Sequence, residues 1–513
     1  MTHANLFDIF AARFPKDGAA PFLTTRDGHT TTYGALANLS ARMAHCLVAH
    51  GVRPGDRVAV QVEKTPEAVF LYLACLRAGA ALLPLNPAYR SDELEYFLDD
   101  AAPALVVGDP ANADLKSLCA KRPGMHLLTL DARGHGTLMD ESRDRDGAFA
   151  TVPRADDDLG AILYSSGTTG RPKGVMLSHR NLASNAATLH KLWQFRPGDV
   201  LLHALPIFHT HGLFVALNTT LMNGSAMIFH NRFTAEDVIA DLPRATVFMG
   251  VPTFYTRLLA TPAFDRAVCR NIRLFISGSA PLLEETFQQF ESRTGIQILE
   301  RYGMTEAGMI TSAHIDKPRR ANTVGWPLPD VNLRIVGEDQ KPVASGATGE
   351  IQINGPNVFR AYWKKPEKTA EDITADGWFK TGDLARVEPD GMISIVGRAK
   401  DMMISGGFNV YPKEIEDVLD GIPGIAESAV VGMPHPDFGE AGLAVLTLVP
   451  GKSPPEDTAL RAALKAHLAN YKVPKLMVVA DTLPRNAMGK VQKKLLRETY
   501  KVAWEKMLTG ETA

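Results

Sequence analysis

The segment Tyr164-Ser165-Ser166-Gly167-Thr168-Thr169-Gly170-Arg171-Pro172-Lys173-Gly174-Val175 brings together four serine or threonine hydroxyls, three glycines and two cations. It follows an apolar run, Leu159 to Leu163, that reads as a buried strand. Glycine admits positive φ and lets backbone approach a ligand closely. Amides, hydroxyls and cations in one loop suit a polyphosphate, with Ser165, Ser166, Gly167, Thr168, Thr169, Gly170 and Lys173 as its contacts. The loop is not a Walker A motif, because Pro172 precedes Lys173 and Gly174 follows it. The other reading is an ordinary glycine-rich turn between a strand and a helix.

Four further segments carry chemistry-bearing residues. Arg301-Tyr302-Gly303-Met304-Thr305-Glu306 follows a strand-like run, and strand ends are where α/β sheets place ligands. Tyr302 offers a flat face for a purine, and Glu306 a hard oxygen ligand for Mg²⁺. The competing reading is a strand leading into a helix with Glu306 in its first turn. In Gly377-Trp378-Phe379-Lys380-Thr381-Gly382-Asp383, the Asp383 carboxylate can accept both hydroxyls of a ribose, or it is a solvated turn residue. Gly397-Arg398-Ala399-Lys400-Asp401 is a charged linker or a hinge. Pro484-Arg485-Asn486-Ala487-Met488-Gly489-Lys490 ends a polar loop.

The elements that must hold these groups alternate along the chain. Tyr33–His50 and 66–78 have helical period, with Pro66 suited to a first turn. Residues 57–62, 81–84 and 104–107 are short β-type runs, and Ser91 is placed to cap a helix between the last two. This alternation predicts a parallel α/β sheet. Beyond the phosphate loop, a helix is expected over Asn181–Leu192, with strands over 200–205, 225–229, 245–250 and 274–277. From Gly325 to Val396 the texture shifts to short β runs. After Asp401 a helix from Pro412, strands at 428–431 and 443–449, and a helix over 459–469 predict a compact α+β unit of roughly a hundred residues. The expected domains are therefore 1–400 and 401–513.

The bulk composition is that of a globular protein of more than one domain. The chain has 513 residues, 45% hydrophobic and 22% charged, and a net charge of −2 from 55 basic and 57 acidic residues. That balance gives no electrostatic case for nucleic acid or an anionic membrane. Four scattered cysteines, Cys46, Cys75, Cys119 and Cys269, fit neither disulfide nor metal spacing. No secretory signal or membrane span is read, so a cytoplasmic location is expected.

Taken in order, Tyr164–Val175, Tyr302–Glu306, 377–383, 397–401 and 484–490 resemble the adenylate-forming enzymes: acyl-CoA synthetases, nonribosomal adenylation domains and luciferase. The resemblance runs from about Phe7 to Leu496. It implies an α/β fold, with a large N-terminal domain of two stacked α/β sheets plus a small β subdomain, and a mobile smaller α+β C-terminal domain. It implies ATP, Mg²⁺ and coenzyme A. A carboxylate attacks the α-phosphate, and a thiol then displaces AMP. By resemblance, Tyr302 stacks on adenine flanked by Gly278, Ser279 and Ala280, and Glu300, Arg301, Gly303 and Met304 border the nucleotide. Thr305 meets the α-phosphate, Thr168 and Glu306 serve Mg²⁺, and Asp383 and Arg398 hold the ribose. Lys490 bridges carboxylate and α-phosphate. Asp401 is the hinge, and Ser405, Gly406, Gly407 and Phe408 line the pantetheine path. Lys490 is also the expected target of a protein acyltransferase and deacylase, since acylation erases its charge.

The acid is less constrained. Arg301 directly precedes Tyr302, and a buried guanidinium needs an anion because an unpaired buried charge costs several kcal/mol. Its partner is either an internal acid such as Glu300 or a second carboxylate on the substrate. Phe208-His209-Thr210-His211-Gly212 puts polar groups where relatives often carry aromatic contacts, and Arg257 lies on a segment bordering the family's pocket. The set resembles malonyl-CoA synthetases, which implies that Arg257, Arg301 and Ser279 hold a distal carboxylate. His209 lines the same pocket or is a structural histidine. The expected reaction is ligation of malonate to CoA, with methylmalonate accepted because one methyl is a weak discriminator. The alternatives are a CoA ligase for another short or aromatic acid, a carrier-loading adenylation domain, and a non-catalytic scaffold.

Overall fold

The computed structural model describes residues 4–165, 172–406, 408–486 and 489–509. They form two compact units, Met1–Asn332 with Ile353–Phe379, and Leu333–Gln352 with Lys380–Ala513. The units part near Lys380, upstream of the boundary expected at Asp401, and most of the small β region groups with the second unit.

The first unit is built on two mixed sheets. One has the strand order His126–Thr129, Leu105–Gly108, Arg57–Gln61, Ala81–Pro84, Leu159–Ser165, Lys173–Ser178. Its first five strands run parallel, as the alternating pattern predicts. The helix Pro66–Arg77 joins two of them and is buried from Ala68 to Arg77, which fits a sequence apolar on every face. Pro66 opens it and Thr65 caps it. Arg77 at its end donates through its terminal nitrogens to Ala37 O, Ser40 Oγ and Phe149 O, while its Nε has no partner among the described residues. The next helix, Ser91–Ala101, is capped from Arg90 rather than Ser91, whose backbone already belongs to the first turn. Glu93 reaches back to Arg90 N at 3.0 Å and closes that end.

The second sheet orders nine strands among the described residues, with Leu299–Met304, Leu274–Ser277, Val247–Gly250 and Val200–His203 as parallel neighbours at its centre. Phe248, Tyr255, Phe275 and Phe290 form an aromatic core against its helices.

Two expected elements differ. Lys173–Ser178 is a strand, antiparallel to Leu159–Ser165 with Ser165 opposite Lys173. The hydroxyl-rich segment thus connects a hairpin, not a strand to a helix. The helix His179–Leu192 comes after, capped by Ser178 with Asn181 returning the bond. Likewise Arg301–Met304 continues the strand Leu299–Met304 into an antiparallel pair with Gly308–Ser312, so Glu306 lies in a turn and not at a helix start. Ser166 to Arg171 lie outside the described residues.

The second unit holds an antiparallel pair, Phe379–Val387 with Ile393–Arg398, in a four-stranded sheet. A second sheet is built on the long hairpin Ile425–His435 and Gly439–Leu448. The amphipathic helices Pro412–Asp420 and Asp457–His467 cover one face through Ile415, Leu419, Leu460 and Leu464, and Trp504 and Leu496 cover the other. All four cysteines are free and buried. Among the described residues, no helix is long and apolar enough to cross a membrane.

Candidate active site

In the first unit, the residues expected around phosphate and Mg²⁺ converge on Tyr362. The Tyr362 hydroxyl donates to Glu306 Oε1 at 3.3 Å, and Ser165 Oγ donates to the same oxygen at 3.1 Å. Lys173 Nζ lies 4.2 Å from the Tyr362 ring centroid and 3.6 Å from the Asp372 carboxylate. Burial first, and then the Glu306 charge, hold the Tyr362 phenol far above its ordinary pKa, so it stays a donor. Glu306 is buried, and its backbone carbonyl accepts from Phe359 N at 2.7 Å. A buried carboxylate among hydroxyls is a hard-oxygen donor set that fits Mg²⁺. Thr168, the other expected metal ligand, lies outside the described residues, as do Ser166, Gly167, Thr169 and Gly170.

Gly278, Ser279 and Ala280 follow directly on the strand Leu274–Ser277, which pairs with the strand bearing Glu300, Arg301, Tyr302, Gly303 and Met304. Thr305 begins the turn after it. Ser279 holds a left-handed backbone, φ 75°, a conformation that costs a non-glycine residue energy and clusters at functional sites.

Beside this strand end sits a buried cation. Arg301 is 3% exposed, and its Nε and Nη2 have no hydrogen-bond partner among the described residues. Burial lowers its pKa to about 9, and no described carboxylate opposes that shift. Glu300 is therefore not its ion-pair partner. Its surroundings are neutral. Gly278 passes under the guanidinium, and the Tyr255 hydroxyl donates to Ile276 O at 2.5 Å. His211 Nδ1 lies 3.2 Å from Ser279 Oγ. Burial, and then the Arg301 charge, hold His211 well below its ordinary pKa. His209 is pushed down to about 4 by burial alone. Both rings are neutral, and each has a buried Nε2 without a partner among the described residues, as has Thr210 Oγ1. His211 opens a π-helical turn, His211–Leu217, a geometry frequent at functional sites.

Arg257 is exposed on the helix Pro252–Leu259 and bounds a cavity of about 250 Å³, together with Lys64, Phe208, Arg232, Phe233 and Phe254. Arg301, Ser279 and His211 are not among the walls of that cavity.

The second unit gathers the remaining expected residues. Asp383 stands opposite Arg398 across the antiparallel pair, with Arg398 Nε 2.7 Å from Asp383 Oδ1. Arg398 Nη1 also donates to Thr381 O at 3.2 Å. Lys490 follows a loop held by an Arg485–Glu427 ion pair and by Asn486, whose side chain accepts from Lys490 N at 3.0 Å. Solvent reaches the outer part of Lys490. The protein packed around its amine, and then the Arg398 charge, still lower its pKa to about 8, while Asp383 opposes the shift. Lys490 is thus within electrostatic reach of both Asp383 and Arg398. Asp401 lies in the turn Ala399–Asp401 and pairs with Arg497 at 3.3 Å. Ser405 is buried, Gly406 takes φ 59°, and Phe408 is exposed and stacked on Tyr471. Gly407 lies outside the described residues.

His211 stands in the polar segment Phe208–Gly212, but neither it nor Tyr362 sits at a spacing that marks chemistry. Lys64 and His203 carried no sequence signal beyond a cation and an imidazole at the ends of strand-like runs.

Comparison with known proteins places this arrangement. Residues 7–363 match the model of the AMP-binding enzyme family, and residues 414–490 match that of the AMP-binding enzyme C-terminal domain. A feruloyl-CoA synthase of Amycolatopsis sp is 36% identical over 480 residues, covering 92% of this chain and 94% of that protein. A mitochondrial malonate–CoA ligase of Bos taurus is 36% identical over 485 residues, covering 87% of this chain and 82% of that protein. The crystal structure of ATP-bound MatB from Rhodopseudomonas palustris superimposes with TM-score 0.95 at 48% identity, covering 98% of this chain and 100% of that one.

Proposed function

The chain belongs to the AMP-binding enzyme family as an AMP-forming acid–thiol ligase, and on that premise we propose that its acid is malonate. ATP and coenzyme A are its substrates, and Mg²⁺ is typical of the family. The observation that carries the choice of acid is the Arg301 guanidinium, buried with Nε and Nη2 unanswered among the described residues and no described carboxylate beside it. A buried cation without an anion costs several kcal/mol. A diacid supplies the missing charge, with bidentate geometry suited to guanidinium. Ser279 Oγ and the neutral His211 stand next to it as further polar partners. The malonate–CoA ligase relatives support the same reading.

In this account one malonate carboxylate oxygen attacks the α-phosphorus of ATP, and pyrophosphate leaves with the electrons of the broken P–O bond. The CoA thiol then attacks the acyl carbon, AMP departs, and the thiol proton is released. Bringing two anions together makes charge neutralisation and alignment the main catalytic tasks. Lys490 supplies a positive charge in the first step, as a point charge on a long stem. Thr305 meets the α-phosphate, Ser165 and Lys173 the outer phosphates, and Tyr302 the adenine. Asp383, oriented by Arg398, accepts the ribose hydroxyls. Glu306 and Thr168 would hold Mg²⁺, which neutralises phosphate charge when bound. Asp401 serves as the hinge, and Ser405 to Phe408 as the pantetheine path.

The aromatic walls of the 250 Å³ cavity, with Phe233 and Phe254 stacked at 3.8 Å, favour a second reading, an aromatic acid. The feruloyl-CoA synthase relative supports it. Pyrophosphate release measured with acetate, butyrate, benzoate, ferulate and malonate separates the two. A malonate preference supports the first reading, and a ferulate or benzoate preference overturns it.

Lys490 is also the proposed point of control. An amine with a pKa near 8 is free enough at neutral pH to be acylated, which would remove the charge the first step needs. Mass spectrometry of protein from cells, finding Lys490 always unmodified, would count against this.

A further inference from the structure

Lys64 is 6% exposed, yet burial alone, with no described carboxylate opposing it, sets its pKa below the ordinary lysine value. Its Nζ instead donates to His203 O at 2.8 Å and meets His203 Nδ1 at 3.0 Å, with the Phe229 ring 4.3 Å away. His203 Nε2 lies 2.9 Å from Gly212 O. A carbonyl oxygen only accepts, so Nε2 carries the ring proton. Nδ1 of the neutral ring is then bare and accepts from Lys64. Burial, followed by the Lys64 charge, holds His203 far below its usual pKa, which agrees with a neutral ring.

The far end of this chain is the segment that carries the acid-site histidines. Gly212 is pressed against Pro206: an added Cβ would stand 2.0 Å from Pro206 O. The turn is therefore clamped between Pro206 on one side and His203 on the other. It presents His209, Thr210 and His211, and His211 reaches Ser279 beside Arg301. A methionine would fill the volume of Lys64 without the cost of desolvating an amine. Folding alone thus gives no reason for a lysine at this position, whereas a directional bond to His203 does.

We propose that Lys64 and His203 form a positioning pair that holds the His209–Gly212 turn in register with Ser279 and Arg301, and so sets affinity for the acid without touching it. The proposal rests on the reading of the Arg301 pocket as the acid site.

Steady-state kinetics of Lys64→Met, His203→Gln and the double variant test it. Each single change should raise KM for malonate roughly tenfold, while KM for ATP stays within about twofold. The double variant should resemble either single one, because both break one linkage. Unchanged malonate KM in folded Lys64→Met would overturn the proposal, as would parallel increases for ATP and malonate. If Lys64 contacts the acid itself through the cavity it lines, His203→Gln leaves malonate KM unaltered, which also overturns it. A second arm needs no variant. In wild-type enzyme labelled with ¹⁵N-histidine and saturated with ATP analogue, malonate should move the His203 ring resonances and acetate should not. Resonances that stay fixed with malonate would overturn the pair's role even where the variants fail to fold. Should the wild type prefer another acid, the malonate reading fails separately, and the same comparison with that acid decides the positioning role.

Discussion

The guanidinium of Arg301 lies directly over Gly278. A Cβ built on Gly278 would stand 2.3 Å from Arg301 Nη1 and 2.4 Å from its Cζ, so only glycine lets the cation occupy this place. The strand pairing that sets Ser277 beside Glu300 brings the two together. Removing the cation or displacing it should have related effects. Arg301→Ala should lower kcat/KM for malonate by roughly 10²–10³, corresponding to about 3–4 kcal/mol, within the range for breaking a buried charge pair. ATP affinity, measured by calorimetry, should change far less. Gly278→Ala should also raise KM for malonate, and a variant that binds malonate as tightly as wild type would contradict the close approach.

Lys490 acts in one half of the reaction only. Lys490→Ala should slow malonate-dependent pyrophosphate release by roughly 10²–10³, the range for loss of one charge-stabilising donor. Conversion of synthetic malonyl-AMP and CoA to malonyl-CoA should continue at near the wild-type rate. Equal loss in both assays would show that the lysine serves the fold and not the adenylation step.

The same amine makes the first step sensitive to alkali. Its pKa is lowered to about 8, so the cation is present below that value and is lost as pH rises through it. Single-turnover adenylation should therefore decline above about pH 8, while the thioester-forming step measured from malonyl-AMP keeps its own profile. His209 and His211 are already neutral and should add no inflection between pH 6 and 9.

Glu306 should govern the metal requirement. Glu306→Gln keeps the shape and the hydrogen bond from Ser165 but removes the charge. The Mg²⁺ concentration for half-maximal rate should rise on the order of tenfold, with KM for malonate little altered. Tyr362→Phe should give a smaller shift in the same direction, because it takes one donor from that carboxylate. No change in Mg²⁺ dependence in either variant would remove Glu306 from the metal site.

The motifs were legible because each combines residue types that make little sense without a ligand. Their local geometry was less so. Lys173–Ser178 reads as the tail of a loop, and its strand character comes from pairing with Leu159–Ser165, which no local period announces. Glu306 fits a helix start by composition, yet the return of Gly308–Ser312 along Leu299–Met304 makes it a turn. Ser91 is a better cap than Arg90 by type, but the helix begins one residue earlier and Glu93 closes it. That Arg301 does not pair with Glu300 required coordinates, because Glu300 is adjacent in sequence while its side chain leaves the opposite face of the strand. Lys64, His203 and Gly212 are far apart along the chain, and only the fold joins them.

The central claim is that Arg301 recognises a second carboxylate, and the direct measurement is the ratio of kcat/KM for malonate over propionate, which lacks that group. The account predicts a ratio of about 100 or more in the wild type and a ratio near unity in Arg301→Ala. A wild type that favours propionate or ferulate, or a ratio that survives the loss of the guanidinium, would contradict it.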